Sequence, residues 1–170
     1  MLAPWRLFHV WSCSACGLCC RKYVVQLNKS EVEFYTSLFG KHVVEKISNK
    51  IVLRRINNRC IFQRGNLCVI HDYKPIRCKL WPFIVLRKPL NKRTAKLAEF
   101  EHLGEIFYIY VDTFCPGFTT GKEPIEKAIQ EAIIDYLSYH PARVLEKSSH
   151  VLFNQSFLKR VVWRERKYSF

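Results

Sequence analysis

The feature that most constrains this chain is a run of four cysteines within eight residues, Cys13-x2-Cys16-x2-Cys19-Cys20. Two residues between cysteines let a tight turn aim both sulfurs at one centre, and a third cysteine after two more residues continues the wrap. Cys20 calls for a different place. Adjacent side chains diverge, most of all in extended backbone, so Cys19 and Cys20 are not expected on the same small tetrahedral ion. The run therefore predicts two centres, or one centre and a further thiol.

Four more cysteines follow, Cys60, Cys68, Cys78 and Cys115. The N-terminal spacing is similar to the first three ligands of a bacterial ferredoxin cluster, whose fourth ligand is a cysteine followed by proline, and Cys115-Pro116-Gly117 supplies such a pair. One partition groups Cys13, Cys16, Cys19 and Cys115 around one centre and Cys20, Cys60, Cys68 and Cys78 around another. Exchanging Cys19 with Cys20 serves nearly as well. The expected cofactors are a 4Fe-4S iron–sulfur cluster, zinc, or one of each; four-cysteine zinc sites acting only as folding staples are the plainer alternative.

The compartment decides what clustered cysteines mean. Arg6 and His9 interrupt the apolar stretch that an export signal would need in MLAPWRLFHVWSC, and no stretch approaches about 18 apolar residues, the minimum for a spanning helix. The expectation is a cytoplasmic chain. In a reducing cytosol, metal or redox chemistry is the commoner use of such cysteines than disulfides.

The formal charge of the 170 residues is +14, spread unevenly. Residues 50–99 carry thirteen Lys and Arg against Asp72 and Glu99, a net of +11. A four-thiolate site around Zn²⁺ or an oxidised four-iron cluster carries about −2, so two sites would bring the total to roughly +10. The remaining excess predicts an acidic partner, nucleic acid or a ribonucleoprotein first, met through residues 50–99 and 157–167. In the second segment Lys159, Arg160, Arg164, Arg166 and Lys167 interleave with Phe157, Trp163 and Tyr168. That pattern fits an RNA-contacting element and, equally, a solvated amphipathic helix.

Hydrophobic residues make up 49% of the chain, enough for a real core. Residues 12–21 read as a cysteine-rich loop. Val24–Leu27, Ile51–Leu53, Cys60–Phe62, Leu67–Ile70, Phe83–Leu86 and Ile106–Val111 read as short strands, with Arg64-Gly65-Asn66 as a hairpin turn. Ser30 and Glu33 form the pattern of a capping box, Val32, Tyr35, Leu38 and Phe39 follow at helical spacing, and Gly40 ends that helix. A second helix starts near Pro124 with Ile125, Ala128, Ile129, Ala132, Ile133, Tyr136 and Leu137 on one face, and Pro141 ends or kinks it. The expected architecture is α+β: a small metal-stabilised single domain with short strands, two or three helices and loop-borne cysteine sites. Residues 1–120 would form the cysteine domain, and 121–170 a helical, basic extension packed on it.

These residues resemble the YkgJ-like cysteine-cluster proteins, zinc- or iron-chelating domains whose hallmark is CxxCxxCC, matched here by Cys13 through Cys20. The middle block of that family matches Cys60, then Gly65-Asn66-Leu67-Cys68, then His71 through Pro82. A late Cys-Pro-Gly matches Cys115-Pro116-Gly117. The likeness covers roughly residues 13–117 and includes all eight cysteines. It departs from the family pattern at His71, which replaces an aromatic, and at Lys74 and Lys79, which replace arginines and lose bidentate geometry. A longer relative class, the flagellin lysine methylases, carries a similar cluster, so the resemblance allows methyl transfer. No glycine-rich nucleotide or S-adenosylmethionine fingerprint accompanies it.

Outside the cysteines, no catalytic base or nucleophile stands out. His71, between Cys68 and Cys78, is read as a cap or surface residue before a ligand, and His9, His42, His102, His140 and His150 are scattered. Asp112, three residues before Cys115, is read as a strand-end residue before a group supporting the site. Lys74, Arg77 and Lys79 crowd Cys78, where cations favour thiolate. Two functions follow: a metalloprotein with redox or macromolecule-modifying chemistry, or a zinc-stabilised basic module that binds RNA.

Overall fold

The computed structural model describes residues 1–138. In chain order they form β1 (Leu2–Pro4), α1 (Leu18–Lys22), α2 (Lys29–Phe39), β2 (Val44–Ile47), β3 (Lys50–Leu53), β4 (Arg55–Ile56), β5 (Arg59–Cys60), β6 (Gln63–Arg64) and β7 (Leu67–Cys68). There follow α3 (Ile76–Leu80), β8 (Phe83–Leu86), α4 (Ala95–Ala98), β9 (Glu99–His102), β10 (Glu105–Asp112), α5 (Gly117–Thr120) and α6 (Ile125–Ser138). Mixed helices and short antiparallel strands make the fold α+β. Its described part divides into two compact units, one of residues 1–19 with 76–138 and the other Cys20–Pro75.

The first unit is built on β10. Its run Phe107, Ile109 and Val111 alternates inward and is fully buried, as period-two patterning requires of a strand with one face on a core. β10 pairs antiparallel with β8 in the register Val111↔Phe83, with β9 through a hairpin at Leu103-Gly104, and with β1 in the register Leu2↔Asp112. α6 lays Ile125, Ala128, Ile129, Ala132 and Ile133 into the same core as Trp5, Phe83, Val85, Phe100 and Phe118. Its apolar face is shorter than the sequence pattern suggests, because Tyr136 and Leu137 are exposed. Neither β1 nor β9 is visible as a strand in the sequence, since each is short and formed only by pairing with β10.

In the second unit α2 is capped two residues earlier than Ser30 would place it. Asn28 Oδ1 accepts from the Glu31 backbone N–H at 2.9 Å, and Glu31 Oε2 accepts from the Asn28 N–H at 3.0 Å. Asn28 thus takes the capping position while Ser30 donates to Asn28 Oδ1. Gly40 ends the helix at φ +90°, as expected. β2 and β3 form one hairpin, and residues 25–27 run beside β3 with a single bridge, Gln26↔Val52, where a full strand was expected. Two minimal hairpins follow. β4–β5 turns through Asn57-Asn58, both at positive φ, which asparagine tolerates, and β6–β7 turns through Gly65-Asn66. The rings of Tyr35, Phe39 and Phe62 pack together beneath them.

Two expectations need correction. Six α-helices occur among the described residues, against two or three expected, because four of them have only four or five residues and carry no periodic apolar signal. The cysteines are also not all loop-borne. Cys19 and Cys20 stand on α1, Cys78 on α3, Cys60 on β5 and Cys68 on β7, while Cys13, Cys16 and Cys115 lie in loops. Pro75 directly before α3 pre-sets a helical start, and Arg21 and Lys22 at the end of α1 suit the negative end of a helix. Pro141 and the basic tail 157–167 lie outside the described residues.

Candidate metal centre

In the first unit a backbone seam brings residues a hundred positions apart into register. Trp11 N–H donates to Glu123 O at 2.9 Å, Ser12 N–H to Gly117 O at 3.3 Å, and Ile125 N–H to His9 O at 3.1 Å. The strands of this seam approach so closely that side chains are excluded. A Cβ on Gly117 would lie 2.5 Å from Ser12 O and 2.7 Å from Trp11 Nε1, and one on Gly121 would lie 2.5 Å from Ser12 N. The glycine of Cys115-Pro116-Gly117 is therefore the point where the N-terminal cysteine loop is pressed against Cys115.

The loop itself turns sharply. Ala15 at φ +52° and Gly17 at φ +69° flank Cys16, both in the left-handed region. Cys115 is half-buried, and the Trp11 indole N–H donates to its Sγ at 3.5 Å. Burial pushes the Cys115 thiol up, hydrogen bonds from Trp11 and from the Gly117 backbone pull it part of the way back, and the nearby Cys16 and Cys13 push it further up. Cys13 and Cys16 thus stand within electrostatic reach of Cys115. Asp112 shapes the approach: its Oδ1 accepts from the Phe114 N–H at 3.0 Å and its carbonyl from the Cys115 N–H at 3.1 Å. Cys19 and Cys78 belong to the same unit.

The second unit holds Cys20, Cys60 and Cys68, and two arginines tie their backbones together. The Arg55 guanidinium donates to Arg21 O at 2.6 Å and also to Tyr23 O and Asn58 O. It joins the segment after Cys20 to the turn before Cys60. Arg21 in turn donates to Asn66 Oδ1 at 3.4 Å, in the turn before Cys68. That turn is braced from within, since buried Gln63 donates to Gly65 O at 3.1 Å and Arg64 to Ile61 O at 3.2 Å. Guanidinium is suited to this work because its donors form a rigid planar fork. Composition alone assigned Arg55 to a basic patch; the conformation gives it a different task.

His71 opens a short helical turn, its side chain 71% exposed beside Asp72 at 3.6 Å, which fits the surface reading. Among the described residues no disulfide is formed. Nor do three or more His, Cys, Asp or Glu side chains among them close into ready ligand geometry. The donor set is nonetheless soft and rich in sulfur, the chemistry that zinc and iron–sulfur centres take.

Residues 12–116, more than half of the chain and all eight cysteines, match one family model, "CxxCxxCC: Putative zinc- or iron-chelating domain". No curated relative and no solved structure matches. The arginine ties of the second unit fall within the matched span, whereas the seam of the first lies at its two edges, with Ser12 inside it and Trp11 and Gly117 just beyond. The chain belongs to the CxxCxxCC family of zinc- or iron-chelating domains.

Proposed function

We propose that the cysteines of each unit hold metal, in two centres, at least one of them an iron–sulfur cluster. Cys13, Cys16, Cys19 and Cys115 would serve one, and Cys20, Cys60 and Cys68 belong to the other, with Cys78 as the remaining thiol. What supports this reading is the seam that holds the start of the N-terminal cysteine loop, at Trp11 and Ser12, against the Cys115-Pro116-Gly117 segment. Like-charged thiolates repel one another, and a bound cation offsets that repulsion. The triple-cysteine spacing and the Cys-Pro pair favour iron and sulfide at this centre over zinc. A cluster would supply one-electron chemistry, while the protein supplies thiolates, the Trp11 and Gly117 hydrogen bonds to Cys115 and partial exclusion of water. Such hydrogen bonds to sulfur tune reduction potential.

Anaerobic purification followed by assay of iron, zinc and sulfide per chain tests the proposal. The expected result is a brown protein with stoichiometric iron and sulfide, which Cys16→Ser depletes. Zinc alone would remove the cluster and leave a structural or RNA-binding module. Metal content unchanged in Cys16→Ser would overturn the first centre.

A further inference from the structure

A second chemistry-bearing surface lies on the first unit, apart from the cysteines. The chain between β8 and β9 carries Lys88, Lys92, Arg93 and Lys96, all exposed, and Arg6 is exposed on the turn after β1. These segments are fixed beside one another. Leu90 N–H donates to the hydroxyl of buried Tyr110 at 3.1 Å, and Thr94 reaches the same hydroxyl at 3.4 Å. Asn91 Oδ1 accepts from Thr94 N–H and Oγ1, each at 2.9 Å. The indole of Trp5 and the guanidinium of Arg6 both donate to Glu99 O, at 3.1 and 3.2 Å, which locks the N-terminal turn to the end of α4.

None of these five cations makes an ion pair among the described residues, whereas neighbouring Arg87 is neutralised by Glu105 at 2.8 Å. Three large aliphatic side chains share the surface: Leu7 is 57% exposed, Leu90 53% and Leu97 42%. The nearby aromatic rings, Trp5 and Tyr110, are buried. That combination separates two kinds of anionic partner. A nucleic-acid strand would use exposed rings for base stacking and gain nothing from leucines beside its phosphates. An anionic bilayer surface uses both parts, headgroups against the cations and the acyl boundary against the leucines.

We infer that this face docks peripherally on an anionic membrane surface. Charge complementarity selects the headgroup layer, and the projecting leucines enter its edge. No helix among the described residues is long and apolar enough to cross a membrane, so the contact is one of surface attachment.

The test is co-sedimentation of the purified, metal-loaded chain with vesicles of phosphatidylglycerol mixed with phosphatidylcholine, or of phosphatidylcholine alone. A single-stranded RNA oligonucleotide is measured in parallel. Binding is expected only to the anionic vesicles. Charge reversal in Lys92→Glu with Arg93→Glu should weaken it by on the order of tenfold or more. Leu90→Ser with Leu97→Ser should weaken it by on the order of fivefold, with thermal unfolding and metal content unchanged in both variants. Absence of vesicle binding would overturn the inference. So would RNA binding that falls with charge reversal while the leucine pair has no effect on either ligand. Metal content reads the cysteine centres independently, so failure of one proposal leaves the other standing.

Discussion

The two units solve the same problem, holding cysteines from distant parts of the chain in place, by different means. In the first, Trp11 at the start of the cysteine loop packs on Phe83 and Phe118, and Gly117 and Gly121 let two backbones touch. Position there comes from close packing around a continuous core. In the second, Cys60 and Cys68 sit on hairpins of two-residue strands, too short to be stable alone, and Arg55 and Arg21 span between them. Position there comes from side-chain hydrogen bonds, which are directional but open to water. The first unit should therefore keep its shape without metal, and the second should depend on it.

Metal removal should give the largest effect. Chelation under reducing conditions is expected to abolish amide-exchange protection in β4 to β7 while the β8–β10 pairing stays protected, because structural metal binding contributes folding free energy directly. Equal loss in both units, read by exchange mass spectrometry, would break the contrast.

Gly117→Ala comes next. Its Cβ meets backbone and indole atoms at 2.5 and 2.7 Å, neither of them a flexible chain end, so the seam must open. A loss of about 3 kcal/mol in denaturant unfolding is expected, the upper range for overpacking. Loss of metal from the centre proposed at Cys115 should accompany it.

Arg55→Lys should be smaller, about 1–2 kcal/mol. Lysine keeps the charge but cannot span Arg21 O, Tyr23 O and Asn58 O as a fork. The expected signature is faster exchange in β4–β7 and looser metal at the proposed second centre, with the spectrum of the proposed first centre unchanged. An effect on both centres would mean the units are less independent than their construction implies.

Some of this was legible along the chain. Short runs of apolar, β-favouring residues named β8 and the core of β10, 3.6-residue periodicity named α2 and α6, and Gly40 named the end of α2. The cysteine spacing pointed to metal chelation, and the family match agrees with that. The single-turn helices bearing Cys19, Cys20 and Cys78 were hidden, because four or five residues are too few to show a period. β1 and β9 were hidden because their strand character is lent by β10.

What the sequence determined by itself is chemical: eight soft ligands, a net positive charge and a CxxCxxCC pattern, all fixed by residue type and local spacing. What only tertiary structure decided is which groups meet. Gly117 matters because Ser12, a hundred residues away, occupies the space of its missing Cβ. Arg55 matters because three carbonyls converge on one planar cation. Both depend on long-range backbone approach, which local sequence pattern does not encode.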